Sequence, residues 1–338
     1  MKIIRVSLLL ALAALSAFAD FSYKHETKIV GGTMAGAMKM AMKMSRTARD
    51  AMSGATYIKG NMMATRSGDQ LTVYDLDAET ITTIDSDKRQ YSVVTFAEMQ
   101  QYMQQMSEKL NSKKGDTDVK YKVAIQDGKK SQDVNGYPAK LTVFSLSVES
   151  TDKKGNSGAM EMVNDLWLSN SISGSADMVA FQKRMGEKLA GAGTQNMGMI
   201  GAMMKQKGFE EAMKEFAANA ANLQGIPVLT VMRMAPAGNA SNLMAESGKI
   251  PSEQPEAEGA SDAPSMGSVL RGMGGFGGFG KKKQDEPKQS APQSGSSGAL
   301  MEMAIRNFDF SAAPVDSTQF AVPAGFKQVE SPMKKALR

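Results

Sequence analysis

Apolar and polar residues alternate along most of this chain, and the period of the alternation changes at a few places. After Thr95 the spacing becomes helical, and Thr95-Phe96-Ala97-Glu98 has the form of a capping box that begins a helix of about 14 residues. Two more helices are predicted at 177–189 and 197–223. A period of two predicts strands elsewhere, at 21–30, 56–66, 71–76, 80–84, 91–95, 119–125, 139–148, 160–168, 228–234 and 300–310. This order predicts an α+β fold with an antiparallel sheet.

One apolar segment is ambiguous, because methionine and lysine or alanine alternate strictly from Met38 to Met44. Methionine favours helices, but a helix would distribute Met38, Met40, Met42 and Met44 around its circumference. We therefore expect a strand with a methionine face, in which neighbouring side chains on that face lie about 7 Å apart.

The two remaining segments are of other kinds. Residues 1–19 have a basic start, an apolar run and Ala17-Phe18-Ala19, the layout of a secretory signal cleaved after Ala19. The apolar run is too short to cross a membrane. Residues 235–298 are rich in Gly, Pro, Ser and Lys, and we expect a disordered insertion within one domain formed by 20–234 and 299–330. The mature protein is thus expected in the periplasm, without a lipid anchor or a transmembrane helix.

Composition excludes several kinds of site. The chain has no cysteine and one histidine, which argues against disulfides, thiolate or histidine-bridged metal sites and serine-histidine catalysis. The net charge of +5 is too small to suggest nucleic acid. Ile29-Val30-Gly31-Gly32 and the glycine pattern of 275–280 are chance matches to protease and dinucleotide motifs. We expect no enzyme, no cofactor and no metal.

The methionines are the most unusual feature, since the chain contains 29 of them. Three interpretations remain open: core packing, the lining of a cavity for variable apolar ligands, and Cu(I) binding. Residues 273–283, which combine phenylalanines with Lys281-Lys282-Lys283, suit either peripheral contact with anionic lipid or a solvated linker.

Several motifs resemble exported bacterial domains of unknown function, which are similar in turn to the periplasmic lipoprotein carriers LolA and LolB. The resemblance covers most of 21–234 and 299–330, and it rests on 57–66, Tyr74-Asp75-Leu76-Asp77, 80–85, Tyr91, 135–139, 165–168, 225–228 and 320–326. It implies a strongly curved antiparallel sheet of about ten strands, an incomplete barrel, with helices on its concave face. In the carriers an arginine of an early strand helps to control a lid, and Arg66 is the nearest counterpart.

The expected function is therefore non-enzymatic binding of a lipid, acyl chain or other apolar molecule between sheet and helices. An envelope scaffold or stress protein that acts through its insertion is the alternative. The expected ligand-binding residues are Met38, Met40, Met42, Met44, Arg66, Met99, Met103, Met106, Trp167, Met178 and Phe181.

Overall fold

A twelve-stranded sheet dominates the computed structural model, which describes residues 20–113, 118–151, 157–191, 214, 223–251 and 298–336. The expected signal, most of the helix expected at 197–223, and residues 252–297 lie outside this part. The strand order is β12-β6-β5-β4-β3-β2-β1-β11-β10-β9-β8-β7, so the sheet does not close. The strands are β1 Phe21–Gly31, β2 Ser53–Lys59, β3 Met62–Ser67, β4 Gln70–Asp75, β5 Thr80–Asp85, β6 Gln90–Thr95, β7 Asp118–Val134, β8 Tyr137–Thr151, β9 Ser157–Ser169, β10 Ile226–Pro236, β11 Met301–Ser311 and β12 Lys327–Gln328.

Neighbouring strands are antiparallel except β12, which pairs in parallel with β6. The expected α+β class and antiparallel sheet are confirmed. The strand expected over 56–66 is instead a hairpin, because Gly60 adopts a φ of 56° and reverses the chain between β2 and β3.

The helices of the described part lie outside the sheet. They are α1 Ala35–Met44, α2 Arg46–Asp50, α3 Phe96–Lys113, α4 Ser175–Gly191, α5 Ala240–Ala245 and α6 Pro332–Ala336. The capping box of α3 is confirmed, since the Thr95 N–H donates to Glu98 Oε2 at 2.9 Å and the Glu98 N–H donates to Thr95 Oγ1 at 3.1 Å.

The methionine segment is a helix, so the strand expected at Met38 to Met44 is wrong. A strand requires a neighbour in a sheet, and β1, which precedes this segment, already pairs with β2 on one side and β11 on the other. With no edge of β1 left to extend, the helix propensity of alanine and methionine decides the conformation of α1.

Ordered structure also continues beyond the boundary expected at Ala235. Ala235 is buried in β10, and α5 follows with Leu243 buried. The Gly248 N–H then donates to Asp165 Oδ2 of β9 at 2.7 Å, which holds the chain against the sheet.

The strand registers show which residues share a face of the sheet, because residues directly opposite each other project to the same side. One face of β1 carries Phe21, Tyr23 and Thr27, because alternate residues of a strand project to the same side. Thr27 lies opposite Ile305, Ile305 opposite Thr230, and Thr230 opposite Leu166. We call this face the Phe21 face. Trp167 and Val231 therefore lie on the opposite face.

The sheet can be divided into two halves, β1–β6 and β7–β11, and each half has two faces, which we call half-faces. Described segments cover three of these four half-faces. On β1–β6, α4 packs on the Phe21 face through Met178 and Phe181, and Val315 and Phe320 cover the opposite face. On β7–β11, α5 packs through Leu243 on the face opposite the Phe21 face.

The main core contains residues from both faces of the sheet. Phe21 and Ile58 of one face belong to the same buried cluster as Trp167, Val231 and Leu141 of the other. The main core is therefore not confined to one face of the sheet.

Candidate functional site

The fourth half-face, the Phe21 face of β8–β11, carries six methionines on adjacent strands, of which Met160 is exposed and the other five form two rows. Met162, Met234 and Met301 lie opposite one another across β9, β10 and β11. Met232 and Met303 form a second row beside them. We call these five residues the methionine face. All five are half-buried.

Aliphatic and aromatic side chains extend this surface. Leu146 of β8 lies opposite Met162, and Phe144 lies opposite Asn164, which is itself opposite Met232. Opposite side chains in such pairs have Cβ atoms about 5 Å apart, and neighbours along a strand are about 7 Å apart. The result is a contiguous apolar surface about 15–20 Å wide across four strands.

Among the residues that the structure describes, the helix that packs on β9 and β10 is α5, and it lies on the other face. The contacts that hold it there are polar as well as apolar. Arg233 Nη2 donates to the carbonyl oxygen of Lys249, which follows α5. The described part of the chain therefore leaves the methionine face without a covering helix.

A buried ion network fixes the opposite side of these strands. Arg233 is 1% exposed and donates to Asp165 Oδ2 and to Glu302 Oε1, each at 2.8 Å, and the Asp165 side chain is fully buried. The sequence analysis did not predict this network, although the alternation of residues in β9 and β10 contains a signal for it. Arg233 lies on the same face of β10 as Leu229 and Val231, and Asp165 lies on the same face of β9 as Trp167. Two opposite charges at core-facing positions of two strands predict such a pair.

The residues expected to bind ligand do not form one site. Met38, Met40 and Met44 are exposed on α1 and Met42 is half-buried there. Arg66 lies on the face opposite the Phe21 face, where it pairs with Ala55 and Leu71. Met99 is half-buried on α3, and the side chains of Met103 and Met106 are outside the described part.

Trp167, Met178 and Phe181 do come together, but in the main core. Each is at most 7% exposed, so these side chains serve packing. The Trp167 indole N–H finds no hydrogen-bond acceptor among the described residues.

A cleft of about 550 Å³ with several charged residues around it lies between α4 and the turns that join β2–β3 and β4–β5. Lys188 Nζ donates to Glu79 Oε1 at 2.8 Å, which raises the pKa of Lys188, and Arg184 donates to the Gly60 carbonyl at 2.9 Å. The cleft is lined by Asp77, Glu79, Arg184, Glu187 and Lys188, with Asn61 and Leu76.

The comparisons with protein families and with curated proteins give no relative from which to infer a function. No protein-family model matches the chain, and no curated protein matches it. In the described part, no helix has the length and apolar character needed to cross a bilayer. Within the same residues, no three histidine, aspartate or glutamate side chains are grouped as metal ligands.

Proposed function

We propose that the protein is a non-enzymatic periplasmic binder of a lipid, an acyl chain or another apolar molecule, and that the methionine face is where the ligand lies. One observation carries the proposal: five methionines and their aliphatic neighbours form a contiguous half-buried surface, while the described helix on β9 and β10 packs on the other side. Contiguous apolar surfaces of this kind are typical of binding sites.

The side-chain chemistry supports a variable ligand. Methionine is unbranched and rotates about three bonds, so a surface of methionines adapts to acyl chains of different lengths. The Asn164 side chain, between Phe144 and Met232, supplies one polar group that can orient a ligand headgroup.

We include in this proposal the curvature of the sheet and the side of it on which α4 lies. Helix α4 packs on the Phe21 face of β1–β6, and the methionines occupy that same face of β8–β11. This arrangement supports an incomplete barrel with α4 on its concave side, as helices lie in the lipoprotein carriers, while α5 packs on the other face. The site differs from the expected one, because the methionines of α1 and Arg66 are not part of it.

The experiment compares the mature protein with two double variants. Native mass spectrometry of protein purified from the periplasm should show bound lipid, and a fluorescent fatty acid should bind in vitro. Met232→Gln with Met303→Gln preserves side-chain length but places amides on the face, and we expect a loss of affinity of about tenfold or more. Met38→Gln with Met40→Gln on α1 is the matched control and should bind normally.

Two results would refute the proposal: a wild-type protein that carries no lipid and takes up no fatty acid, or equal losses in both double variants. Met232→Leu with Met303→Leu, which retains an apolar face, distinguishes loss of binding from loss of folding. Its affinity should stay near that of the wild type, and thermal unfolding checks that all variants fold.

A second candidate, a soft metal ion such as Cu(I), is favoured by the same register. Methionines directly opposite each other across β10 and β11 are closer than methionines along one strand, so their sulfurs can approach one ion. Titration with Ag(I) followed by mass spectrometry tests this in the same variants. The alternative expected from sequence is scaffolding through the insertion at 235–298, and most of that segment, residues 252–297, lies outside the described part.

A further inference from the structure

Helix α1 has ten residues and none of them is buried. Met38, Met40 and Met44 are 39%, 57% and 75% exposed. Helices of this length are marginal in water unless one face is packed. Backbone hydrogen bonds join the two residues before α1 to the two residues before β11, from Thr33 N–H to the Ala299 carbonyl and from Met34 N–H to the Leu300 carbonyl.

The arrangement of side chains on α1 is amphipathic with a wide apolar sector. At about 100° per residue, Lys39 and Lys43 lie about 40° apart and form one narrow stripe. The apolar side chains occupy an arc of about 220° that excludes this stripe. This arc comprises Ala35, Ala37, Met38, Met40, Ala41, Met42 and Met44. A helix of this kind suits the boundary between headgroups and acyl chains, with its lysines extended toward the headgroups.

The charge around α1 is positive. The helix contains no acidic residue, and neither Lys39 nor Lys43 forms an ion pair with any described residue. Arg49 of α2 is similarly unpaired among the described residues, whereas Arg46 is neutralised by Asp50 and Asp69. A second copy of this helix would bring like charges together, so an anionic surface is the better complement.

We propose that α1 docks the protein on an anionic lipid bilayer, with its methionines inserted at the interface and Lys39, Lys43 and Arg49 against lipid phosphates. The docking surface rests on α1 and α2 alone and is independent of ligand binding at the methionine face. It is also distinct from the lipid contact expected at 273–283.

The first test measures binding of the full mature chain to vesicles by co-sedimentation. We expect binding to vesicles that contain phosphatidylglycerol, weaker binding at high salt, and little binding to pure phosphatidylcholine. Met40→Gln with Met44→Gln should weaken binding about tenfold or more, and each of Lys39→Gln and Lys43→Gln should weaken it about fivefold. Val179→Gln, at an exposed valine of α4, is the matched control and should have no effect.

Every variant is also made with Lys281, Lys282 and Lys283 changed to glutamine, which separates α1 from the basic run of the insertion. Docking through α1 predicts that the α1 variants still weaken binding in this background. If that background alone abolishes binding and the α1 variants change nothing, the proposal is wrong. Because α1 buries no side chain, its variants should retain the wild-type circular dichroism and melting temperature.

The second test measures insertion. Met44→Trp should be quenched by brominated phosphatidylglycerol, whereas Val179→Trp should not, and the fully buried Trp167 gives a constant background. Absence of quenching at position 44 in vesicle-bound protein would overturn the proposal, as would a dimer dissociated by the α1 substitutions. Fatty-acid uptake should be unchanged in the α1 variants, so failure of docking and failure of ligand binding are separate outcomes.

Discussion

The ion network of Arg233 predicts a large and testable effect on stability. Arg233→Met removes donors to Asp165, Glu302 and the Lys249 carbonyl at 2.8, 2.8 and 3.3 Å. Asp165 then remains fully buried with the Gly248 N–H as its hydrogen-bond donor among the described residues. Leaving one charge of a buried pair without its partner costs about 3–5 kcal/mol.

That cost is a large part of the stability of a typical domain, which is about 5–15 kcal/mol. For a chain of this size it corresponds to a fall in melting temperature of about 10 °C. Removing both charges is less harmful, because no uncompensated charge stays in the core and Glu302 is partly hydrated. Arg233→Met with Asp165→Leu should therefore lie within about 2 kcal/mol of the wild type.

The assay is urea unfolding at neutral pH of wild type, both single variants and the double variant, analysed as a double-mutant cycle. The reasoning is wrong if Arg233→Met costs less than about 1 kcal/mol, or if the double variant costs as much as the sum of the single variants. Lys24→Met, which breaks the exposed pair with Asp309, is the control and should leave stability unchanged.

Three further predictions concern β1, β2 and α1. Burial lowers the pKa of His25 below its usual 6.5, so NMR should show that this single histidine titrates below that value. The free energy of unfolding should fall as the pH is lowered through this range, because the unfolded chain binds the proton at a higher pH than the folded chain. Titration at or above 6.5 would contradict this. A Cβ at Gly54 would meet the Arg66 carbonyl oxygen and the His25 ring, so Gly54→Ala should destabilise by about 1–3 kcal/mol. Gly36→Ala in α1 meets no atom within 4 Å and should stabilise by about 0.5–1 kcal/mol. Equal effects of the two alanines in urea unfolding would count against this explanation.

The features that could be predicted from sequence depend on contacts close along the chain. The capping box of α3 joins Thr95 and Glu98, and period-two alternation identifies β4, β5 and β6 because each is a hairpin neighbour of the next. The segment Met38 to Met44 shows the limit of this reasoning. Its alternation is that of a strand, but whether a strand forms depends on a free sheet edge elsewhere in the molecule.

The methionine face could not be found from sequence for a related reason. Met301 and Met303 lie opposite Met234 and Met232 only because β11 returns to β10 after residues 237–300. Periodicity assigns a side chain to one of two faces of its own strand, but it does not show which strand lies alongside. The network of Arg233 was more accessible, since a charge within an apolar alternation already requires a buried partner.

The described residues on either side of 252–297 are both held on the sheet. Lys249 is held by Arg233, and the Leu300 N–H donates to the Met234 carbonyl at 2.7 Å, so both flanks are fixed on adjoining strands. The free energy of closing a loop between two fixed points rises by only about 0.6 kcal/mol when its length doubles. The β10–β11 pairing should therefore tolerate a change in the number of residues between these two fixed points.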